Sequence, residues 1–325
     1  MESERIAVVF PGQGSQRPGM GKDFYDQVPA SRLAYEEASD ALGWDVAALC
    51  FSNDERLNLT EYTQPCIVTT EIAMLRGLTE RYGFVPTYFG GHSLGELTAL
   101  VAAGVVSLSR ALKVVQERGR LMQTAVPVGV GGMAAVISSE INLEVIRRAL
   151  SPLPIDVANI NSSDQVVISG QAWALPEAHR ALLEVVTDGQ PLRFVPLNVS
   201  APFHSRFMKP IEDPFADTLR SVWQYVDCEK AKWVTSNYTG GFHSGSAEHI
   251  VNNLVAQVSN TVQWKKNMTH LAALADAVYE VGPGRPLRDF FKTVGVTCQS
   301  VVTLSGAERV FNPGTRPQPT TDRQQ

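Results

Sequence analysis

A serine enclosed by two glycines is the feature that most constrains how this chain can fold. Residues 91–95 read Gly-His-Ser-Leu-Gly, between a short apolar run at 85–90 and a helical pattern at 94–103 that Gly104 closes. Such a sharp turn from strand to helix needs residues without a β-carbon, because backbone segments approach each other closely. The pattern predicts a nucleophile elbow that presents Ser93 at the tip of a helix.

The position of Ser93 has two interpretations. Free N–H groups and the positive end of the helix dipole would stabilise an oxyanion formed at a nucleophilic serine. Alternatively, the segment is a plain tight turn whose serine only caps the helix. The strand-like and helix-like flanks favour the nucleophile.

Strand and helix patterns alternate along the first 126 residues. This order predicts an α/β fold with a mainly parallel sheet and helices on both faces. The predicted strands lie at 6–10 and 85–90, and the predicted helices at 31–42, 64–82 and 109–125.

The pattern changes after residue 126. A Gly-rich stretch leads into strand, helix, strand, strand, helix and strand, which is the ferredoxin-like order. A further strand is predicted at 277–281, and the last residues are polar and Pro-rich. We therefore predict a large domain at 1–126 and 199–306, an inserted ferredoxin-like domain at 127–198 and a disordered tail at 307–325.

Composition and charge exclude several classes of function. The formal net charge is −5 and no Lys/Arg run occurs, which argues against a nucleic-acid partner. No apolar run reaches the roughly 18 residues needed to span a bilayer, and the run at 6–10 is too short for a signal peptide. The four cysteines lie far apart with no CxxC pair, so neither a metal site nor a disulfide framework is predicted. We expect a cytoplasmic protein.

His204 is the candidate base among six histidines. It lies in "VSAPFHSRF", a Pro-containing bend after a strand-like run, and loops at strand ends form the sites of α/β folds. His92 adjoins Ser93 and should point elsewhere on the elbow, and His243 lies in a Gly/Ser-rich stretch predicted to be an exposed loop. A capping or core histidine is the alternative for His204. An α/β-hydrolase would place an acid and then a histidine after its serine, with the histidine near the C-terminus, and this chain has no well-placed pair of that kind. We therefore predict a Ser–His dyad whose third partner need not be a carboxylate.

Arg118 lies in the middle of the apolar face of the helix predicted at 109–125. Burying an unpaired guanidinium costs several kcal/mol, so it should have an anionic partner. That partner is either an internal Asp or Glu or the carboxylate of a substrate, which a planar guanidinium can hold through two parallel hydrogen bonds. With a serine nucleophile, the second choice indicates an acyl group that carries a free carboxylate.

Seven short motifs, in order, resemble those of the malonyl-CoA:acyl-carrier-protein transacylases. The resemblance covers roughly residues 5–305 and implies an α/β-hydrolase-like core with a ferredoxin-like insertion. The motifs are "FPGQGSQ" (10–16), "GHSLGE" (91–96), "RGRLMQ" (118–123), "NSSDQVVISG" (161–170), "SAPFHS" (200–205), "LVAQVSNTVQW" (254–264) and "EVGPG" (280–284).

The resemblance implies roles for individual residues. Ser93 would be the nucleophile, and His204 the general base and later the general acid. The main-chain carbonyl of Gln257 would hold the imidazole, so the side chain of Gln257 need not matter. The backbone N–H groups of Gln13 and Leu94 would form the oxyanion hole.

The same family resemblance implies an activity. A malonyl group would pass from malonyl-CoA to Ser93 and then to the phosphopantetheine thiol of an acyl carrier protein, with no bound cofactor. Arg118 would bind the malonyl carboxylate, and His92 would contact the substrate. Two other functions remain open, a hydrolase that removes acyl groups from carrier proteins and a catalytically silent docking protein of a synthase complex.

The setting within the family is suggested by Phe203. The Phe-His pair at 203–204 resembles malonyl-selective polyketide acyltransferases, and a phenyl ring beside the acyl pocket leaves less room for an α-methyl branch. Ordinary packing is the alternative role for Phe203. The surrounding motif favours a free-standing, trans-acting polyketide enzyme over a fatty-acid enzyme. An acidic carrier protein would dock on a basic rim, for which the candidates are Arg206, Lys209, Arg285 and Arg288.

Overall fold

Two separate β-sheets organise the fold in the computed structural model, which describes residues 4–186, 191–199, 201–223 and 225–312. One sheet is parallel with the order β2-β1-β7-β8, and the other is antiparallel with the order β4-β5-β3-β6. The predicted α/β class, with a parallel sheet and a ferredoxin-like unit, is confirmed. The strands are β1 (Ile6–Phe10), β2 (Tyr88–Gly91), β3 (Gly131–Ile137), β4 (Ile155–Ile160), β5 (Gln165–Gln171), β6 (Arg193–Pro196), β7 (Ala277–Val281) and β8 (Cys298–Val301).

Helices cover both sheets, and no helix in the described ranges is both long enough and apolar enough to cross a bilayer. Short 3₁₀ turns occur at Glu55–Asn58, Ala172–Ala174, Arg206–Ile211, Cys228–Trp233 and Lys292–Val294. The α-helices are α1 (Lys22–Gln27), α2 (Pro29–Leu42), α3 (Val46–Phe51), α4 (Thr60–Tyr82), α5 (Leu94–Ala102), α6 (Leu108–Thr124), α7 (Leu143–Leu150), α8 (Leu175–Val185), α9 (Glu212–Trp223), α10 (Ala247–Ser259), α11 (Trp264–Leu274), α12 (Arg288–Phe291) and α13 (Leu304–Phe311).

The parallel sheet is buried on both faces. Alternate residues of β1 enter different clusters, because successive side chains of a strand point to opposite faces. Val8 and Phe10 belong to the cluster that contains α4 and α6, whereas Ala7 and Val9 pack with residues of α11. Continuous apolar strands such as β1 are typical of this double coverage.

The parallel order brings three loops to one edge. The carboxyl ends of β1, β2 and β7 are neighbours, since Phe10 pairs with Gly91 and Val9 pairs with Glu280. The loops that follow these strands therefore meet at the edge where open α/β sheets bind ligands.

The antiparallel sheet provides the opposite wall of this region. Helices α7 and α8 cover one face, where Ala134 and Val136 are buried. The alternate residues Met133 and Ala135 point to the other face, which borders the cavity described below. Backbone hydrogen bonds from Ile160 to Val262 and from Val262 to Ala158 fasten the sheet to the rest of the protein.

Two predicted boundaries need correction. The strand predicted from residue 85 begins at Tyr88, because Val85 is 69% exposed and Pro86 has no N–H for a ladder. The predicted disordered tail from 307 is wrong for its first residues, since α13 continues to Phe311 and stacks that ring on Tyr279. The remainder of the tail, 313–325, lies outside the described residues.

Candidate active site

The turn at Ser93 requires the glycines around it. A β-carbon at Gly91 would lie 2.1 Å from the carbonyl carbon of Gly95, and one at Gly95 would lie 2.2 Å from the Phe10 oxygen. Neither contact is possible for a larger residue, so strand β2, helix α5 and the end of β1 approach as closely as the sequence predicted.

Ser93 and His204 share an unusual backbone conformation. Among the described residues other than glycine, they alone have positive φ angles, 53° for Ser93 and 57° for His204. Each such conformation costs about 1–3 kcal/mol and persists only where the surrounding structure enforces it. Because such strain clusters at active sites, we take both residues as candidates for one functional site.

The two side chains meet as predicted. Ser93 Oγ lies 2.7 Å from His204 Nε2, and His204 Nδ1 lies 2.8 Å from the main-chain oxygen of Gln257. Because a carbonyl only accepts, Nδ1 carries the ring proton and Nε2 presents its lone pair to the serine hydroxyl. The geometry is that of a serine activated by a histidine, oriented by a main-chain carbonyl instead of a carboxylate.

His204 is held in its neutral form. Its side chain is buried, and this burial, together with the positive charge of Arg118, lowers the pKa of His204 from 6.5 to about 3. The imidazole is therefore available to accept a proton at neutral pH.

Arg118 is buried and lies beside the dyad. It is 1% exposed, and its Nη2 donates to Ser93 Oγ at 3.1 Å. Its other partners are amide oxygens, Gln64 Oε1 and Gln257 Oε1, each at 2.9 Å. No carboxylate within the described residues forms an ion pair with it. Burial lowers the pKa of Arg118 to about 10, with the negative charge of Glu96 acting in the opposite direction, so the guanidinium stays charged at neutral pH although no carboxylate of the described residues is hydrogen-bonded to it.

The side chain of Gln257 takes part in the site, contrary to what the family resemblance implied. Its Oε1 accepts from Arg118, and its Nε2 donates to the Ser93 carbonyl at 3.0 Å and to Glu96 Oε2 at 2.6 Å. One residue of α10 thus contacts Ser93, His204 and Arg118.

A buried Glu96–His243 pair is linked through Asn237 to the turn at Ser93, and the sequence analysis missed this pair. Glu96 Oε1 lies 2.8 Å from His243 Nε2, and both side chains are fully buried. The prediction that His243 lies in an exposed loop is wrong. Asn237 joins the pair, donating to Glu96 Oε2 from its N–H and side-chain amide and accepting the Ser93 N–H at 3.3 Å.

Gln13 and Leu94, the two residues predicted for the oxyanion hole, both line the cavity that contains Ser93. Gln13 lies in the loop after β1, and the adjoining Gly12 packs against the elbow, since a β-carbon there would lie 2.5 Å from the His92 oxygen. Leu94 is the first residue of α5. Within the described residues, neither the Gln13 nor the Leu94 N–H is paired, so both remain available to an oxyanion.

A cavity of about 610 Å³ opens onto these groups. Ser93, His204 and Arg118 line it together with Phe203, which is 6% exposed. His92 also lines the cavity and, as predicted, points away from the Ser93 hydroxyl, with Nε2 2.8 Å from Asn161 Oδ1.

The four residues predicted for carrier docking differ in their partners. Arg206 forms an ion pair with Asp156, Lys209 with Glu212 and Arg288 with Asp289. Arg285 is exposed next to Pro286 at the cavity wall, and it has no ion pair in the part of the chain that the structure describes. Arg285 is therefore the strongest remaining candidate of the four.

Comparisons with known proteins identify the family of this chain. Residues 7–285 match the family model of the acyl transferase domain. The malonyl CoA-acyl carrier protein transacylase of Bacillus subtilis (strain 168) is 37% identical over 298 residues, which are 89% of this chain and 90% of the relative. The chain belongs to the malonyl CoA-acyl carrier protein transacylase family.

Further members of this transacylase family match over almost their whole length. The transacylase of Escherichia coli (strain K12) is 37% identical over 93% of this chain and 95% of its own. The crystal structure of the Clostridium perfringens transacylase has a TM-score of 0.86 at 34% identity, covering 95% of this chain and 96% of that one. A malonyl-transacylase in complex with a type II PKS acyl-carrier protein has a TM-score of 0.85 at 34% identity, covering 95% and 99%.

Proposed function

We propose that this transacylase moves a malonyl group from malonyl-CoA to the phosphopantetheine thiol of an acyl carrier protein through an ester on Ser93. The single observation that carries the proposal is the buried charge of Arg118 beside the Ser93–His204 dyad, whose hydrogen-bond acceptors among the described residues are all amide or hydroxyl oxygens. A site of this kind suits an acyl group with an anionic end.

The first half-reaction acylates Ser93. As Ser93 Oγ attacks the thioester carbonyl, its proton passes to His204 Nε2, which already lies 2.7 Å away. The developing oxyanion accepts hydrogen bonds from the N–H groups of Gln13 and Leu94. The tetrahedral intermediate then collapses, the C–S bond breaks, and His204 returns the proton to the departing thiolate of coenzyme A. Losing one such oxyanion donor typically costs ~10²–10³ in rate.

Arg118 would select the acyl group. In the free protein its Nη2 donates to the Ser93 hydroxyl, and acylation converts that hydroxyl into an ester oxygen. The Nη2 donor that this releases can then bind the malonyl carboxylate in the same cavity, with the plane of the guanidinium unchanged. An acetyl group would leave this buried cation without an anionic partner, and sites of that kind reject the analogue that lacks the group by roughly 10⁴.

The second half-reaction reverses the first with a different thiol. The phosphopantetheine thiol of the carrier enters the cavity, His204 removes its proton, and its sulfur attacks the malonyl-serine carbonyl. The Ser93 oxygen leaves and takes the proton back from His204. The malonyl group ends on the carrier as a thioester, and the protein is unchanged.

The experiment that tests this function compares two products. We expect malonyl-CoA and a phosphopantetheinylated carrier to give mainly malonyl-carrier and little free malonate, and Ser93→Ala to abolish both. Free malonate with an unloaded carrier would instead indicate a hydrolase. Failure of a serine-directed reagent to label Ser93 would indicate a silent docking protein. Parallel assays with a fatty-acid carrier and a polyketide carrier identify the pathway.

A further inference from the structure

The side-chain amide of Gln257 bridges the nucleophile and the buried cation. We propose that this amide is a positioning group that sets selectivity for carboxylate-bearing acyl groups by holding Arg118 in its receptive orientation. The inference rests on the proposed function, and it adds a second residue on which the same selectivity depends.

The contacts of Gln257 define the position of Arg118. Gln257 Oε1 accepts from Arg118 Nη2, the same nitrogen that donates to Ser93 Oγ. Gln64 accepts from the other terminal nitrogen, Nη1. The two amide oxygens thus anchor both ends of the guanidinium, so its plane is fixed before substrate enters. A preorganised cation does not lose conformational entropy when the carboxylate binds.

Neighbouring acceptors fix the orientation of the Gln257 side-chain amide. Its NH₂ group lies between two acceptors, the Ser93 carbonyl and the Glu96 carboxylate. Reversing the amide would place its oxygen against both of them and its NH₂ against the guanidinium, giving two sets of mismatched contacts. The acceptors therefore force Oε1 toward Arg118.

Glu96 is itself held in place, so the direction persists. His243 Nε2 lies at 2.8 Å from its Oε1, and the backbone N–H and side-chain amide of Asn237 donate to its Oε2 at 2.9 and 2.7 Å. With these partners the buried carboxylate has little freedom to rotate. Glu96 therefore fixes the orientation of the Gln257 amide, and the amide in turn fixes the orientation of Arg118.

The two roles of Gln257 can be separated by substitution. Its main-chain carbonyl orients His204, and a side-chain change leaves that carbonyl in place. Gln257→Met keeps the volume of the buried side chain but removes both the acceptor and the donor. A defect in this variant that is confined to acyl selectivity would arise from the amide alone.

The test is an acylation assay on the full chain with malonyl-CoA and acetyl-CoA in competition, read by intact mass. We expect Gln257→Met to lower the malonyl-over-acetyl preference by about 10-fold, the effect of losing one hydrogen bond to a charged group. Labelling of Ser93 by phenylmethylsulfonyl fluoride, an uncharged reagent, is measured alongside, because a general loss of serine reactivity slows both acyl groups equally whereas a loss of selectivity changes their ratio. Unchanged malonyl preference in Gln257→Met would overturn the proposal.

A double variant separates positioning from general damage. In the Arg118→Ala background, Gln257→Met should cause no further loss of malonyl preference, because the amide acts through Arg118. A full additional 10-fold loss there would contradict the proposal. Gln257→Leu is made in parallel so that a packing defect in one variant does not decide the outcome. The matched control is Asn252→Ala, on the exposed side of the same helix.

The same experiments distinguish this inference from the function on which it rests. If Arg118→Ala keeps the malonyl preference, the proposed selection by Arg118 fails and the inference fails with it. If Arg118→Ala loses the preference but Gln257→Met keeps it, only the role of the Gln257 amide is wrong.

Discussion

The Nη2 atom of Arg118 lies 3.1 Å from Ser93 Oγ, so the cation that would bind the far end of the acyl group contacts the nucleophile in the free protein. The same oxygen lies 2.7 Å from His204 Nε2. Ser93 therefore stands between a donor and an acceptor, with its proton directed to the imidazole. In the proposed mechanism, selection of the acyl group and activation of the serine both depend on contacts around Ser93 Oγ.

The low pKa of His204 predicts that the protein stays active at pH values well below the ordinary pKa of a histidine. Because burial and Arg118 lower this pKa from 6.5 to about 3, the neutral base persists as the pH falls. We expect the rate of single-turnover acylation to show no decline near pH 6.5, and Arg118→Ala to move the acid limb upward, since it removes a nearby positive charge. Stopped-flow acylation between pH 5 and 8 measures both, and an acid limb centred at 6.5 in the unsubstituted protein would contradict this assignment.

The same shift predicts a contribution to stability with a definite sign. A histidine whose folded-state pKa is lowered stabilises the fold fully above its ordinary pKa of 6.5, and this stability is lost as the pH falls toward 3. We expect His204→Gln to reduce the dependence of the urea midpoint on pH below 6.5. An identical dependence with and without His204 would mean that the histidine is not buried as a neutral group.

The stability contribution of Glu280 should depend on pH in the opposite direction to that of His204. It lies at the end of β7, accepts the N–H groups of Leu287 and Arg288 at 2.9 Å and so anchors the loop that lines the cavity. Burial raises its pKa from 4.5 to about 7, so its stabilising contribution is present below 4.5 and is lost as the pH rises through 7. Glu280→Gln should reduce the dependence of the urea midpoint on pH between pH 4.5 and 7. Glu36→Gln, at an exposed site, should leave that dependence unchanged. An unaltered slope in Glu280→Gln would refute the assignment.

Phe203 predicts discrimination against a branched acyl group. Its ring lines the cavity beside the dyad, where an α-methyl group would need space. We expect Phe203→Ser to raise the use of methylmalonyl-CoA relative to malonyl-CoA by about 10-fold, the value of roughly one methylene in a pocket. Competition between the two thioesters measures the ratio. Equal ratios before and after the substitution would assign Phe203 to ordinary packing.

Arg285 predicts a defect that is confined to the second half-reaction. It is exposed next to the cavity wall, whereas Arg206 and Lys209 are already paired with acidic side chains. We expect Arg285→Glu to slow transfer to an acidic carrier severalfold at low salt while acylation by malonyl-CoA stays normal. Lys113→Glu, on the exposed face of α6, is the matched control. Equal transfer rates for the two variants would exclude Arg285 from docking.

Much of the site follows from local sequence, and the rest depends on distant contacts. The Gly-x-Ser-x-Gly turn and the apolar face around Arg118 are local patterns, and the two residues that they single out line one cavity in the structure. His204 could be chosen because it follows a strand in a bend. The fold class followed from the alternation of strands and helices.

The Glu96–His243 pair shows why the remainder was missed. Its members come from segments 147 residues apart, and a Gly/Ser-rich stretch such as the one around His243 usually indicates exposure. The signal that was available is Glu96 itself, an acidic residue among apolar neighbours on the helix predicted at 94–103. Similarly, Thr303 caps α13 and Phe311 packs against Tyr279, which makes a helix of residues assigned to a disordered tail.

The most direct test of the account is the mass of the acyl-enzyme formed by Arg118→Ala in an equimolar mixture of malonyl-CoA and acetyl-CoA. The unsubstituted protein should carry malonyl on Ser93. In the variant we expect the malonyl-over-acetyl preference to fall by roughly 10²–10⁴-fold and the acetyl adduct to rise in proportion, because the buried cation that pairs with the carboxylate is gone. An Arg118→Ala protein that still loads malonyl with the original preference would contradict the central claim.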